Sequence, residues 1–324
     1  MIRGTVRDAD TKKPLAGVGV VYDWHRDNPR WTIQYDRFNP ALTDKEGRFA
    51  VTGLVGPGLV LAEDGTGNGI RTRLPWPQGP ISGDLYVHGY AKVNVPEEGE
   101  PAAVEITLRK GFTLEARVLR PDGSPVPRVM AYCRGMGGLA VHMFRWDYGL
   151  PFEKGLFRMS GCAPDRTYRV FFIQPVLHLG AAVDLKPGAE PAVVRLEPTA
   201  SVRGKLAHPD GSPAKDGWAV PLLATIKDGE GVKLNPNPAS FEQLIDWGDR
   251  TMDHNKLFQE TLGIGRNPND GVKFQMENLI PGTQLYIEVG LDLQKQFVRV
   301  PVVLKAGEVK DLGTLKLPKA REKP

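Results

Sequence analysis

Chemistry in this chain would have to run through few residues. Its two cysteines, Cys133 and Cys162, form no CxxC pair, and no motif places a histidine beside either, so a catalytic thiol would lack an activating base. Cys162 stands where related stretches of the chain carry leucine, and Cys133 falls on the apolar parity of an alternating stretch. Both read as small buried hydrophobes with free thiols, and the alternative is a disulfide between them inside one core. The six histidines (His25, His88, His142, His178, His208, His254) contain no pair at i+2 or i+4 and no HExxH, which argues against zinc. There is no GxSxG elbow and no P-loop. Gly65-Thr66-Gly67-Asn68-Gly69 has the glycines of a phosphate cradle, but the following Ile70-Arg71-Thr72-Arg73-Leu74-Pro75 cannot open a helix, so it reads as a flexible loop. Asp8, Asp10, Asp44 and Glu46 could gather around calcium. Without a DxDxDG loop they read as turn carboxylates bonded to nearby backbone N–H groups, and Asp249, Asp253 and His254 read as a solvated face. Lys205 alternates with apolar neighbours and is no candidate for an isopeptide crosslink. No cofactor and no metal are expected, and no acid–base or nucleophile constellation points to an enzyme.

Aromatic residues give the positive signal. Trp24, Trp31, Tyr35, Phe38, Trp76, Tyr86 and Tyr90 crowd into two irregular stretches, and Phe144, Trp146, Tyr148 and Phe152 into a third. Rings on surface insertions can stack on sugar faces or anchor a protein partner. The candidate ligand or partner contacts are therefore Trp24, Trp31, Tyr35, Trp76, Tyr86, Tyr90, Trp146 and Tyr148. The competing reading, which is preferred, is that these rings cover open sheet edges and seams.

The elements that position these residues are strands. Gly 37 and Pro 28 in 324 residues suit short strands with many turns, and length alone allows two or three domains. The hydrophobic fraction of 41% and charged fraction of 25% fit a folded, soluble chain. A net charge of +4, with only short basic clusters at Lys12–Lys13 and Lys319–Lys323, gives no reason to expect nucleic acid. No apolar run approaches the roughly 18 residues of a membrane span. Met1-Ile2-Arg3-Gly4 opens no secretory pattern, and the chain reads as a piece of a longer protein.

The chain also repeats itself. PDGSP occurs at Pro121–Pro125 and again at Pro209–Pro213, each time between a short apolar strand and a second alternating one, and Asp8–Pro14 fills the same role near the start. It reads as a tight turn in which the first Pro presets φ, Asp bonds to its own backbone, Gly takes the positive-φ corner and the last Pro blocks further pairing. A Gly-strand-turn-strand element, a β-hairpin or a β-arch, recurs at 46–63, 154–172 and 270–289, with Leu54, Cys162 and Leu279 in the same place. A third pair of strands recurs at 92–108, 181–198 and 300–317. The expected organisation is three tandem β-sandwich repeats, 1–110, 111–199 and 200–318, with a basic tail at 319–324. The insertion in the third repeat is expected to hold a short helix capped by Ser240, with Phe241, Leu244 and Ile245 on one face. The linkers Arg109–Gly111 and Glu197–Ala200 are short, which favours fixed neighbours.

One stretch carries a family likeness. Gly4, Val6, Asp8, Pro14-Leu15-Ala16-Gly17-Val18, Thr43-Asp44, Glu46-Gly47-Arg48-Phe49 and Gly53-Leu54 together resemble the carboxypeptidase regulatory-like domain, a transthyretin-like, Ig-like β-sandwich related to collagen-adhesin B-type repeats. The second and third repeats share it through PDGSP and the glycine-strand-proline elements. The resemblance implies a non-catalytic spacer or accessory module of a large bacterial envelope protein, hence an extracytoplasmic setting and neighbouring domains of a parent chain as partners. It implies no peptidase activity.

Overall fold

A computed structural model of the chain describes residues 1–24, 28–30, 40–73, 86–133, 152–214, 218–223, 273–292 and 296–318. Every named element among them is a strand. The expected helix at Ser240 lies outside the described residues.

The opening strand of each repeat sits at the centre of a three-stranded sheet. β1 (Ile2–Asp8) lies between β4 (Arg48–Val51) and β9 (Ala102–Leu108). β10 (Phe112–Leu119) lies between β13 (Leu156–Cys162) and β16 (Ala192–Arg195), and β18 (Ala200–Ala207) between β20 (Lys273–Leu279) and β23 (Val309–Lys316). Each central strand is antiparallel to the first flanking strand and parallel to the second. The register repeats as well: Gly4 faces Phe49, Ala116 faces Phe157 and Gly204 faces Phe274.

A second sheet backs each of these. Its order is β3 (Ala41–Leu42), β2 (Gly19–Trp24), β5 (Gly56–Glu63), β8 (Gly89–Val95) in the first repeat. In the second it is β12 (Phe152–Glu153), β11 (Arg128–Cys133), β14 (Tyr168–Gln174), β15 (Leu179–Leu185), β17 (Glu197–Pro198). In the third it is β19 (Trp218–Leu223), β21 (Gln284–Asp292), β22 (Gln296–Val303). β6 (Thr72–Arg73) and β7 (Tyr86–Val87) form a separate short ribbon. The Gly-strand-turn-strand element is thus an arch, because β4 and β5, β13 and β14, and β20 and β21 belong to different sheets.

Alternation in the strands supplies the cores between facing sheets. Ile2, Val6, Val20, Val60 and Ile106 fill the first. Leu114, Val118, Val129, Val170 and Phe172 fill the second, and Val202, Met276, Ile287 and Leu304 the third. Val18 and Val20 are buried with Tyr22 packed beside them, as their shared parity requires. The first repeat adds a smaller cluster, Val21, Leu59, Leu61 and Val87 with Tyr90 against it. Val21, Leu59 and Leu61 have the opposite parity to Val20, Val60 and Ala62, so the middle of this sheet is buried on both faces.

The repeated PDGSP is a turn, with one correction to its expected form. Asp122 Oδ1 accepts the Ser124 N–H at 2.8 Å and its hydroxyl at 2.7 Å, and Asp210 treats Ser212 the same way at 2.8 and 2.6 Å. Gly123 and Gly211 take the left-handed corner at φ 87° and 91°, which only glycine adopts without strain. In the first repeat Lys12 takes that corner at φ 60°. The final proline was expected to end pairing. It does not, because Pro lacks only its own N–H: the next residue still donates, Val126 to Val118 at 3.2 Å and Ala214 to Leu206 at 3.1 Å.

These turns contribute to the acid sensitivity of the chain. Hydrogen bonds from Ser124 hold the Asp122 carboxyl below its ordinary 3.8, and those from Ser212 do the same for Asp210. A carboxylate with a depressed native value contributes stability above 3.8 that disappears as the pH falls through the native value. The urea midpoint should therefore drop as the pH is lowered below about 4. Asp122→Asn with Asp210→Asn should make that fall shallower; an unchanged slope would refute the assignment.

Candidate functional site at the junctions between repeats

The described residues converge where one repeat meets the next. At the first junction the linker runs antiparallel to the loop that follows β5. Ile70 N–H donates to Arg109 O and Gly111 N–H to Asn68 O, both at 2.7 Å, around a bridge between Gly69 and Lys110. The loop expected to be flexible is thus held to the linker on both sides of Gly69. Its own start is closed by Asp64, which accepts the Thr66 N–H at 3.0 Å and the Thr66 hydroxyl at 2.6 Å. Burial raises the Asp64 carboxyl, but these Thr66 hydrogen bonds outweigh it and hold the group below the ordinary range.

Backbone meets backbone at this junction. A Cβ added at Gly161, where φ is 74°, would stand 2.5 Å from Gly69 O and 3.0 Å from Gly67 O. One added at Gly111 would stand 2.6 Å from Gly161 Cα and 2.9 Å from Cys162 N. One added at Gly69 would stand 2.9 Å from Cγ of His88, whose buried ring has Nδ1 2.9 Å from Asp64 N and 3.0 Å from Glu63 Oε2. Gly161 thus lets the second repeat approach the first closer than a side chain permits, while Gly69 and Gly111 leave room for His88 and for Gly161 within their own repeats.

The second junction uses the same parts. The turn after β14 replaces the longer loop after β5, and the linker becomes β17, paired to β15 through Leu179–Pro198 and Gly180–Glu197. Thr199 N–H donates to His178 O at 2.7 Å, and Gly307 N–H to Pro198 O at 3.0 Å, so the linker is tied to both repeats. Asn278, at φ 57°, stands in the repeat position of Gly161, one residue before Leu279 as Gly161 precedes Cys162. Its Oδ1 lies 3.0 Å from His178 Nδ1 and accepts the Thr199 hydroxyl at 3.4 Å. A left-handed residue at one repeat position therefore touches the preceding repeat at both junctions. In the first repeat that position is Gly53, and the end of the sandwich is closed from within. Tyr22 donates its hydroxyl to Leu54 O at 3.2 Å, and Asn28 Nδ2 donates to Val55 O at 3.1 Å and Pro57 O at 3.0 Å.

The candidate chemistry of the sequence falls out differently. Cys162 is a free, buried thiol, pushed up to about 11 by burial, so it offers no thiolate at neutral pH. Asp8 Oδ1 accepts the N–H groups of Asp10 and Thr11, and Asp44 Oδ1 those of Glu46 and Arg48. Among the candidate aromatics, Tyr90 is half-buried against Leu59 and its neighbours. Trp24 lies in β2 opposite Gly58 and Tyr86 in β7 opposite Arg73. Trp31, Tyr35, Trp76, Trp146 and Tyr148 lie outside the described residues. Sequence reasoning missed the junction residues. The one available signal was that Gly161 and Asn278, two types that tolerate the left-handed region, hold the same repeat position.

No helix among the described residues is long and apolar enough to cross a membrane. No family model and no curated protein matches the chain. Among solved structures, the Bacillus anthracis TIE protein matches at 11% identity and a TM-score of 0.23, over 98% of this chain and 51% of that one. The chain thus spans about half the length of that protein. BcpA, the major pilin subunit of Bacillus cereus, matches at 11% identity and 0.21, over 98% and 99% of the two chains. The shaft pilin SpaA of Lactobacillus rhamnosus GG matches at 10% identity and 0.27, over 61% and 97%. At these scores the fold class rests on the chain's own strands.

Proposed function

We propose that this chain is a non-catalytic structural module in which three β-sandwich repeats, 1–110, 111–199 and 200–318, are held end to end as a stiff rod. The observation that carries this is the parallel pairing of the first and last strands of each repeat, β1 with β9, β10 with β16 and β18 with β23. Parallel neighbours run the same way, so the chain comes in at one end of a repeat and leaves at the other. Successive repeats then string out in line, and the hydrogen-bonded linkers fix their angle. The likeness of the first repeat to carboxypeptidase regulatory-like domains supports a spacer within a larger bacterial envelope protein, with neighbouring domains or another protein as partners. A glycan- or peptide-binding role for the aromatic insertions is the competing reading. The packing of Tyr90 onto the sheet favours rings as cover.

Small-angle scattering of the chain tests the rod. A compact globule of this length would have a radius of gyration of about 20 Å. A clearly larger value with the profile of a rigid rod is expected. A value near the globular one, or the profile of beads on a flexible string, would sink the proposal.

A further inference from the structure

We propose that Asn68 is a site of spontaneous modification, whose conversion to isoaspartate loosens the first junction while the second stays intact. The inference rests on the rod reading for its consequence and not for its chemistry. Asn68-Gly69 is the one Asn-Gly pair in the chain. In the reaction, the Gly69 backbone nitrogen attacks Cγ of the Asn68 side chain. A bond forms from that nitrogen to Cγ, the Cγ–Nδ2 bond breaks, and Nδ2 leaves as ammonia with the proton from Gly69. Solvent water then opens the cyclic imide on either side, giving aspartate or isoaspartate.

The structure favours this at Asn68. The residue is exposed, and its Nδ2 is 3.1 Å from the Thr66 hydroxyl, which itself donates to Asp64. Gly69 and Lys110 form the non-hydrogen-bonded kind of antiparallel pair, since the bonds run from Ile70 and Gly111 on either side. The Gly69 N–H is therefore aimed away from the linker and is not tied up by it. No larger residue can stand at 69 to shield that nitrogen, because its Cβ would meet the His88 ring at 2.9 Å. The feature that lets the loop pack is the one that exposes Asn68 to attack. Asn278, at the other junction, is 5% exposed and is followed by a leucine rather than a glycine, so the same ring closure is blocked there.

Isoaspartate would route the main chain through Cβ and Cγ and leave the Asn68 α-carbonyl, which accepts the Gly111 N–H, as a pendant carboxylate displaced from the Ile70 N–H that donates to Arg109 O. Their spacing would no longer match Arg109 and Gly111, and the first two repeats would lose their fixed angle.

The test is to age the whole chain in warm, mildly alkaline buffer. Peptide mapping and enzymatic methylation of isoaspartate follow the chemistry, and scattering follows the shape. Asn68 should convert several-fold faster than every other asparagine, and the aged chain should scatter as a hinged rod. Asn68→Gln, which closes the ring far more slowly, should keep its shape over the same time. Conversion at Asn68 no faster than elsewhere overturns the site. Fast conversion with unchanged scattering overturns its effect on the junction. A flexible profile from fresh protein contradicts the rod instead and leaves the chemistry standing.

Discussion

Gly161→Val should open the first junction. The substituted residue must hold φ near 74° and place a Cβ 2.5 Å from the carbonyl oxygen of Gly69. A β-branched residue in the left-handed region costs on the order of 1–3 kcal/mol, and forced overpacking adds a similar amount, so a total of roughly 2–6 kcal/mol is expected. The atoms in the way are backbone atoms of the preceding repeat, held by the linker hydrogen bonds, and cannot rotate aside as a side chain could. The least costly relief is separation of the two repeats. Scattering should therefore change from a rigid to a hinged profile while each repeat keeps its own strands. Gly161→Ala should give the same change at smaller amplitude. Asn278→Gly keeps the left-handed backbone while removing the contacts to His178 and Thr199, and should affect the second junction less. If Gly161→Val leaves both the scattering and the urea midpoint as they were, the junction does not depend on this close approach.

Phe172→Ala should unfold the second repeat selectively, at a cost of about 3–5 kcal/mol. Phe172 is fully buried, and Phe157 meets it edge-on with ring centroids 5.1 Å apart and planes at 89°. The reason for this pair lies in one methyl group. In the first and third repeats the aromatic residue lies over a glycine, Phe49 on Gly4 and Phe274 on Gly204, where an added Cβ would be 2.5 Å from the ring. The second repeat has Ala116 opposite Phe157, so that ring cannot lie in the same place and packs against Phe172. Removing Phe172 leaves a cavity beside Phe157, and Ala116 limits how far that ring can move into it. Hydrogen exchange should accelerate in β10–β16 and not in β1–β9 or β18–β23. Uniform acceleration across all three repeats would mean that the repeats do not unfold as separate units.

Much of the sandwich was legible because its causes are local. Val18 and Val20 share one strand parity, as do Val129 and Ala131, and all four are buried. PDGSP spells its own turn, since the Asp side chain and the glycine corner act within five residues. The choice between hairpin and arch was not legible, because a turn sequence says how tightly a chain bends and not which sheet receives the next strand. The glycine loop at 65–69 was misread as flexible for a related reason: its partners, Arg109 and Gly111, lie some forty residues on in the sequence.

From the amino-acid order alone came the all-β class, the threefold repeat, the core parity and the short linkers, all products of turn chemistry and period-two alternation acting between near neighbours. Only the tertiary structure decided that the first and last strands of each repeat lie side by side and parallel, for no local pattern encodes a pairing between residues as distant as Ile2 and Ala102. It also decided the junctions. Gly111 and Gly161 carry no side chain from which a pattern could be read, and their role exists only where one backbone meets another.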